Sequence, residues 1–183
     1  PYMNESLELI ADGAEIKAIE RAAKSFGMPM GPITLYDVVG LDTAYYAGRV
    51  MWEAFPDRIA ASPILGALVK NNRLGQKNGL GFFAYKDKSG RGTPDPAADA
   101  IVKQYVTKQQ KFTEEQITHR LFLPMVLEAT RILEAKVVRD VRDVDLGLIF
   151  GVGFPPYRGG LLFWADTLGA AKIVELLKPF ESL

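Results

Sequence analysis

The sequence predicts an all-α protein made of two related helical units, with one short strand or hairpin near residues 79–86. Three observations carry this expectation. Apolar residues recur at helical spacing in segments closed by Gly, Pro and capping side chains. One order of landmarks occurs twice along the chain. A single run, Phe82-Phe83-Ala84-Tyr85, reads as a strand. The 183 residues, 48% of them hydrophobic, suffice for a buried core as one domain or as two small ones.

In order, Met3, Leu7, Ile10 and Ala11 share one helical face, and Gly13 stops that run. A second helix is expected from about Glu15 to Phe26. Gly27-Met28-Pro29-Met30-Gly31-Pro32 then breaks both periodicities and reads as a loop. Pro32 suits the first turn of a short helix ending at Gly40. Asp42 or Thr43 is positioned to cap the next helix, which carries Tyr46, Val50, Met51 and Phe55. Ser62-Pro63 opens a helix reaching about Asn72. After the Gly-, Lys- and Asp-rich stretch 74–96, Asp95-Pro96 starts another that extends through about Lys108. Thr113-Glu114-Glu115-Gln116 has the form of a capping box ahead of a long helix. Leu121, Met125, Ala129, Ile132 and Leu133 line that helix, and Pro124 interrupts it near its start. The alternating charges of Arg139-Asp140-Val141-Arg142-Asp143 read as a solvated helix start.

The repeat is the most informative feature. Pro1–Gly40 matches Pro124–Gly169 with small insertions. Glu5 pairs with Glu128, Gly27-Met28-Pro29 with Gly153-Phe154-Pro155, and Gly31 with Gly159. Asp37-Val38-Val39-Gly40 pairs with Asp166-Thr167-Leu168-Gly169. The chain is therefore divided into residues 1–95, the first copy, and 96–183, a degenerate second copy. Duplicated units packed together can imitate a homodimer within one chain.

Several function classes are disfavoured. Charge is balanced at 22 basic and 22 acidic residues, so no global field draws nucleic acid or an anionic membrane. Cysteine is absent and His119 is the lone histidine, which leaves no expected metal site. No apolar run is long enough to span a bilayer, and no signal peptide is visible, so a cytoplasmic protein is expected. The chain opens at Pro1-Tyr2 and reads as helix at once, which points to a fragment.

Gly79-Leu80-Gly81-Phe82-Phe83-Ala84 meets the loose dinucleotide pattern, but no strand precedes it and no helix follows, so a nucleotide site is rejected. His119 has no acidic partner in sequence and is read as structural or surface rather than as a base. Lys70, Arg73 and Lys77, with Lys86 and Lys88 beyond, could hold phosphates. A solvated face is the preferred reading. Asp37 and Asp166 sit near helix C-termini, where a carboxylate is electrostatically poor, so each is expected to hydrogen-bond a neighbouring backbone group rather than to catalyse. The two Gly/Pro loops are the best site candidates, because such loops bring rigid backbone close to a ligand. Met28 and Met30 offer an adaptable apolar surface that fits an acyl chain or a core equally well.

Three runs carry a family resemblance. Phe26 to Thr43, Gly27-Met28-Pro29-Met30-Gly31-Pro32-Ile33-Thr34-Leu35-Tyr36-Asp37 among them, resembles the C-terminal-domain signature of 3-hydroxyacyl-CoA dehydrogenases. Arg73-Leu74-Gly75-Gln76-Lys77-Asn78-Gly79-Leu80-Gly81-Phe82 is similar to that family's second signature. Gly151-Val152-Gly153-Phe154-Pro155-Pro156-Tyr157-Arg158-Gly159-Gly160 is similar to the second copy found in multifunctional fatty-acid oxidation enzymes. The likeness extends over essentially the whole chain. It implies two helical domains of the 6-phosphogluconate-dehydrogenase C-terminal type. It implies NAD-dependent oxidation of L-3-hydroxyacyl-CoA to 3-ketoacyl-CoA in β-oxidation, with NAD and the catalytic His–Glu pair on an N-terminal Rossmann domain outside this chain. A substrate-holding Asn is implied shortly ahead of Pro1-Tyr2.

No catalytic, NAD-binding or metal-binding residue is therefore expected here, and the chain alone is expected to be inactive. Its implied part is one wall of the acyl-CoA cleft, built from Met28, Pro29, Met30, Gly31 and Pro32. Leu127 stands where related second copies carry Asn, so the second copy is expected to brace the first in place of a dimer partner. A fused enoyl-CoA hydratase and a thiolase subunit are the further partners the resemblance raises. The rival expectations are a purely structural or oligomerisation module, or a dehydrogenase for another short-chain hydroxyacyl-CoA.

Overall fold

The computed structural model describes residues 1–87 and 90–180. The fold is all-α apart from one small hairpin. Helix α1 (Tyr2–Ala11) and α2 (Ile16–Phe26) are joined by a turn at Gly13. Helix α3 (Pro32–Val39) starts on the expected proline, and α4 (Leu41–Ala54) follows directly. Helix α5 (Pro63–Lys70) leads to the antiparallel pair β1 (Phe83–Ala84) and β2 (Thr93–Pro94). Then come α6 (Pro96–Lys103), α7 (Glu114–Glu134), α8 (Val141–Val152), α9 (Leu161–Leu168) and α10 (Ala170–Leu177).

Local chemistry explains most boundaries. Asp95 accepts from Ala97 N at 3.0 Å and caps α6, and Asp140 caps α8 in the same way. Thr113 and Gln116 form both hydrogen bonds of the capping box that opens α7. That helix runs through Pro124 without a break. Two expected boundaries move. Helix α4 begins at Leu41 after Gly40, which has a positive φ, and Asp42 is turned to Lys77 instead of capping the helix. Helix α6 stops at Lys103, because the chain beyond it is claimed by α1. Ala11 O accepts from Thr107 N and Lys108 N, and Asp12 O accepts from Gln110 N.

The copies predicted from the sequence are visible as packed helices. Helix α2 packs on α3 as α8 packs on α9, and α3 packs on α4 as α9 packs on α10. The second half of α7, from Pro124, takes the place of α1. A common core joins the copies. Phe26 stacks on Phe122 with ring centroids 3.7 Å apart, and Trp164 and Phe154 meet Phe26 edge-on. Beside this core, Arg120 is 4% exposed and bridges Glu5 and Asp12, tying α7 to both ends of α1. Burial raises the Glu5 pKa against the pull of Arg120. At Asp12 the burial effect is overcome by Lys108 and Arg120, and its pKa falls.

The copies differ at their matched aspartates. Asp37 is fully buried at the end of α3 and accepts from Phe82 N (2.8 Å), Phe83 N (2.9 Å) and the Tyr85 hydroxyl (3.0 Å). It holds the hairpin on the helix, a backbone partner 45 residues away in sequence. Asp166 is exposed, and no strand follows it among the described residues. The Gly79–Ala84 run leads into β1, and the next element after it among the described residues is β2.

Burial pushes the Asp37 pKa up to about 6, opposed by the two N–H groups and Tyr85. The native carboxyl thus holds its proton more tightly than the unfolded one. Its contribution to stability is full below about pH 4 and is lost as pH rises through about 6. Asp37→Asn is expected to remove that decline. Against the variant, wild-type unfolding free energy should fall by on the order of 2 kcal/mol between pH 4 and 7, read by denaturant titration.

Candidate functional site

The candidate site is the loop between α2 and α3. Helix α2 ends at Gly27, whose φ of +115° suits the left-handed closing residue, and Met28 N donates to Ala23 O at 3.0 Å. The chain then turns through Pro29 and Met30 to Gly31, the cap of α3. Gly31 carries no side chain with which to cap, so the first turn of α3 is satisfied from another helix. Glu20 of α2 accepts from Ile33 N (2.9 Å), Thr34 N (3.1 Å) and the Thr34 hydroxyl (2.5 Å). The carboxylate meets the positive end of α3, where anions are favoured. It is 8% exposed, and Gly31 is required for the approach: a methyl there would sit 2.3 Å from the Glu20 carboxyl.

The second copy repeats the device. Asp145 of α8 accepts from Leu162 N (2.7 Å) and Phe163 N (3.1 Å) at the start of α9. A methyl on Gly160 would sit 2.3 Å from Asp145. Gly31 therefore corresponds to Gly160, not to Gly159 as the sequence spacing indicates. The difference is a one-turn 3-10 insertion, Pro156–Arg158, which ends at Gly159 and is absent from the first copy. No sequence motif marks Glu20 or Asp145. The available signal was their shared place, fifth in the second helix of each copy.

The two loops also lock onto each other. A methyl built on Gly27 would lie 3.0 Å from Pro155 Cγ, and one built on Gly153 would lie 3.0 Å from Pro29 Cγ. Since Gly27 matches Gly153 and Pro29 matches Pro155, each loop touches its counterpart through the same pair of positions. Such reciprocity marks a pseudo-twofold relation. The insertion strengthens one side: Tyr157 Oη and Arg158 Nε donate to Phe26 O at 2.9 and 2.8 Å, and the Arg158 guanidinium lies 4.0 Å from the Phe26 ring centre.

The five residues expected to form a ligand wall are contiguous but differ in exposure. Met28, Gly31 and Pro32 are buried, Met30 is half-buried with its carbonyl turned to the Tyr2 hydroxyl, and Pro29 is exposed. The basic residues expected to form a solvated face do not behave alike. Arg73 is 4% exposed, not solvated, and is committed to Gly81 O and Asp95. Lys77 is paired with Asp42, Lys70 is exposed, and Lys88 lies outside the described residues. His119 is half-buried beside Phe112, Glu115 and Arg120, and burial lowers its pKa. No helix among the described residues is long and apolar enough to cross a membrane.

Fold and site together define a duplicated helical module whose loops are set by internal carboxylates. Residues 1–85 match the family model described as 3-hydroxyacyl-CoA dehydrogenase, C-terminal domain. Across its full length the chain is 40% identical to the fatty acid oxidation complex subunit alpha of Pseudomonas aeruginosa, and equally to that of Pseudomonas paraeruginosa. It spans only 26% of those relatives' length. Among solved structures, 3-hydroxybutyryl-CoA dehydrogenase from Escherichia coli K12 superposes on the whole chain and 54% of its own, with a TM-score of 0.77 and 21% identity, which shows the fold. The dehydrogenase part of multifunctional enzyme 1 from C. elegans matches 87% of this chain and 36% of its own, with a TM-score of 0.66 and 26% identity.

Gly31→Ala is expected to destabilise the protein by about 1–3 kcal/mol, because the methyl must displace a carboxylate that caps a helix. Thermal unfolding should show the same direction of change for Gly160→Ala.

Proposed function

We propose that this chain is the C-terminal substrate-cleft and pseudo-dimer part of an NAD-dependent L-3-hydroxyacyl-CoA dehydrogenase of fatty-acid β-oxidation. In the full-length protein the reaction would convert 3-hydroxyacyl-CoA to 3-ketoacyl-CoA. The observation that carries the reading is the end-to-end 40% identity to fatty acid oxidation complex alpha subunits, over a stretch that includes both loops.

NAD supplies the hydride acceptor, and we assign its binding, with the general base, to an N-terminal Rossmann domain. The roles left to this chain are binding and positioning. Pro29 and Met30, the more exposed members of the loop, are proposed to contact the acyl-CoA. Met28, Gly31 and Pro32 would hold them in place from beneath, and Glu20 would fix the turn. A rigid apolar edge of this kind excludes water and orients an acyl chain without taking part in proton transfer. The division into repeats at residues 1–95 and 96–183, a thiolase partner and a cytoplasmic location belong to the same proposal. The mutual contact of the loops supports the bracing role for the second copy.

Met30→Ala in the full-length enzyme is expected to raise KM for acyl-CoA about 5- to 10-fold with kcat nearly unchanged, since the loss is one of uniform binding. A lower melting temperature with unchanged KM would make the loop structural only. The isolated chain is expected to give no NADH signal with hydroxyacyl-CoA and NAD; turnover would refute the division of labour.

A further inference from the structure

Helix α2 hands the chain to the candidate loop at Gly27, and the second copy holds that point. A helix end leaves its last carbonyls without partners inside the helix. In α2, Ala23 O and Lys24 O accept from Gly27 N, and Ala23 O also accepts from Met28 N. Phe26 O is served differently. Its donors are Tyr157 Oη at 2.9 Å and Arg158 Nε at 2.8 Å, both from the second copy. The matching carbonyl of α8 belongs to Val152, and among the described residues nothing in the first copy donates to it. The support therefore runs one way, from the second copy to the first.

Neither side chain is there for packing alone. The Tyr157 ring is 73% exposed, so the position uses its hydroxyl rather than its burial. Arg158 is half-buried, and no carboxylate pairs with it among the described residues. Its charge lies at the C-terminal end of α2, where cations are favoured, and 4.0 Å from the Phe26 ring centre. Gly27 is the most compliant joint of the loop, with a φ of +115°. The Tyr157 hydroxyl fills the space over it, and a methyl built on Gly27 would overlap that oxygen. At the far end, Glu20 fixes Ile33 and Thr34. Both ends of the turn that carries Pro29 and Met30 are thus held, one of them by the other copy.

We propose that Tyr157 and Arg158 are positioning residues for acyl-CoA binding. They act through Phe26 O, and their hold on it sets the direction in which Gly27 sends Pro29 and Met30. The first copy presents the loop, and an insertion found only in the second copy aims it. Neither residue needs to touch the ligand. The aromatic core that joins the copies, Phe26 with Phe122, Phe154 and Trp164, does not depend on either one, so their loss falls on the loop rather than on the fold. The inference rests on the reading of Pro29 and Met30 as the acyl-CoA contacts.

The test uses the full-length protein with 3-hydroxyacyl-CoA and NAD. Tyr157→Phe removes the hydroxyl alone, and Arg158→Met removes the donor and the charge. Each is expected to raise KM for the acyl-CoA about 3- to 10-fold, the worth of one hydrogen bond, with kcat nearly unchanged. A lower Tm with unchanged KM in Tyr157→Phe would make the contact structural only and overturn the proposal. A double-mutant cycle with Met30→Ala gives a second measurement. If Tyr157 acts through the loop, Tyr157→Phe raises KM by a smaller factor once Met30 is shortened. Equal factors with and without the Met30 side chain would also overturn it. The controls separate this inference from the reading beneath it. A raised KM in Met30→Ala, with KM unchanged in Tyr157→Phe and Arg158→Met, refutes only the positioning role. An unchanged KM in Met30→Ala as well refutes the loop as a substrate site, and no oxidation by the unmodified protein refutes the dehydrogenase reading.

Discussion

The arrangement depends on a carboxylate from one helix capping the next. A helix start leaves N–H groups that need acceptors, and neither Gly31 nor Gly160 has a side chain to offer. Glu20 and Asp145 supply them from the preceding helix, which fixes the angle between α2 and α3 and between α8 and α9. The cost is a buried charge in each half, offset by charge-assisted hydrogen bonds to backbone donors. The glycines are bound to this solution, because any side chain at either position would occupy the space of the carboxylate.

From that constraint the loops follow. With both ends fixed, each Gly-x-Pro turn projects toward the other copy, and Gly27, Pro29, Gly153 and Pro155 meet in reciprocal pairs. The copies have then diverged around a shared frame. The first uses Asp37 to hold a hairpin, while the second spends its extra turn on Tyr157 and Arg158, which bind the end of α2. A duplicated unit keeps its internal geometry and varies what it presents outward.

Much of the frame was legible in the sequence because it is local. The capping box at Thr113, the caps at Asp95 and Asp140 and the first-turn prolines act within a few residues, and the repeat exposed the duplication. What escaped depends on contacts distant in sequence. Arg73 reads as one of a basic group, yet it is buried against Asp95, 22 residues on. Nothing local marks Arg120, yet it anchors α1 across 115 residues. Helix α6 ends before the expected Lys108 because Ala11 O binds the chain that follows it. The one-residue shift from Gly159 to Gly160 arose because an inserted turn ends in its own glycine, which spacing alone does not distinguish from a cap. At the site, the loop was found but its exposure was not: alternating Met and Pro gave no periodicity from which to tell Met28 inside from Pro29 outside.

Through the contact of the loops, the two carboxylate caps are parts of one cooperative unit. Native-state hydrogen exchange of four amides, Ile33, Thr34, Leu162 and Phe163, tests this most directly. If the copies brace each other through their loops, all four should exchange at a common free energy close to that of global unfolding. Exchange of one pair through an opening several kcal/mol cheaper than the other would contradict it, because one copy would then hold its loop independently of the other.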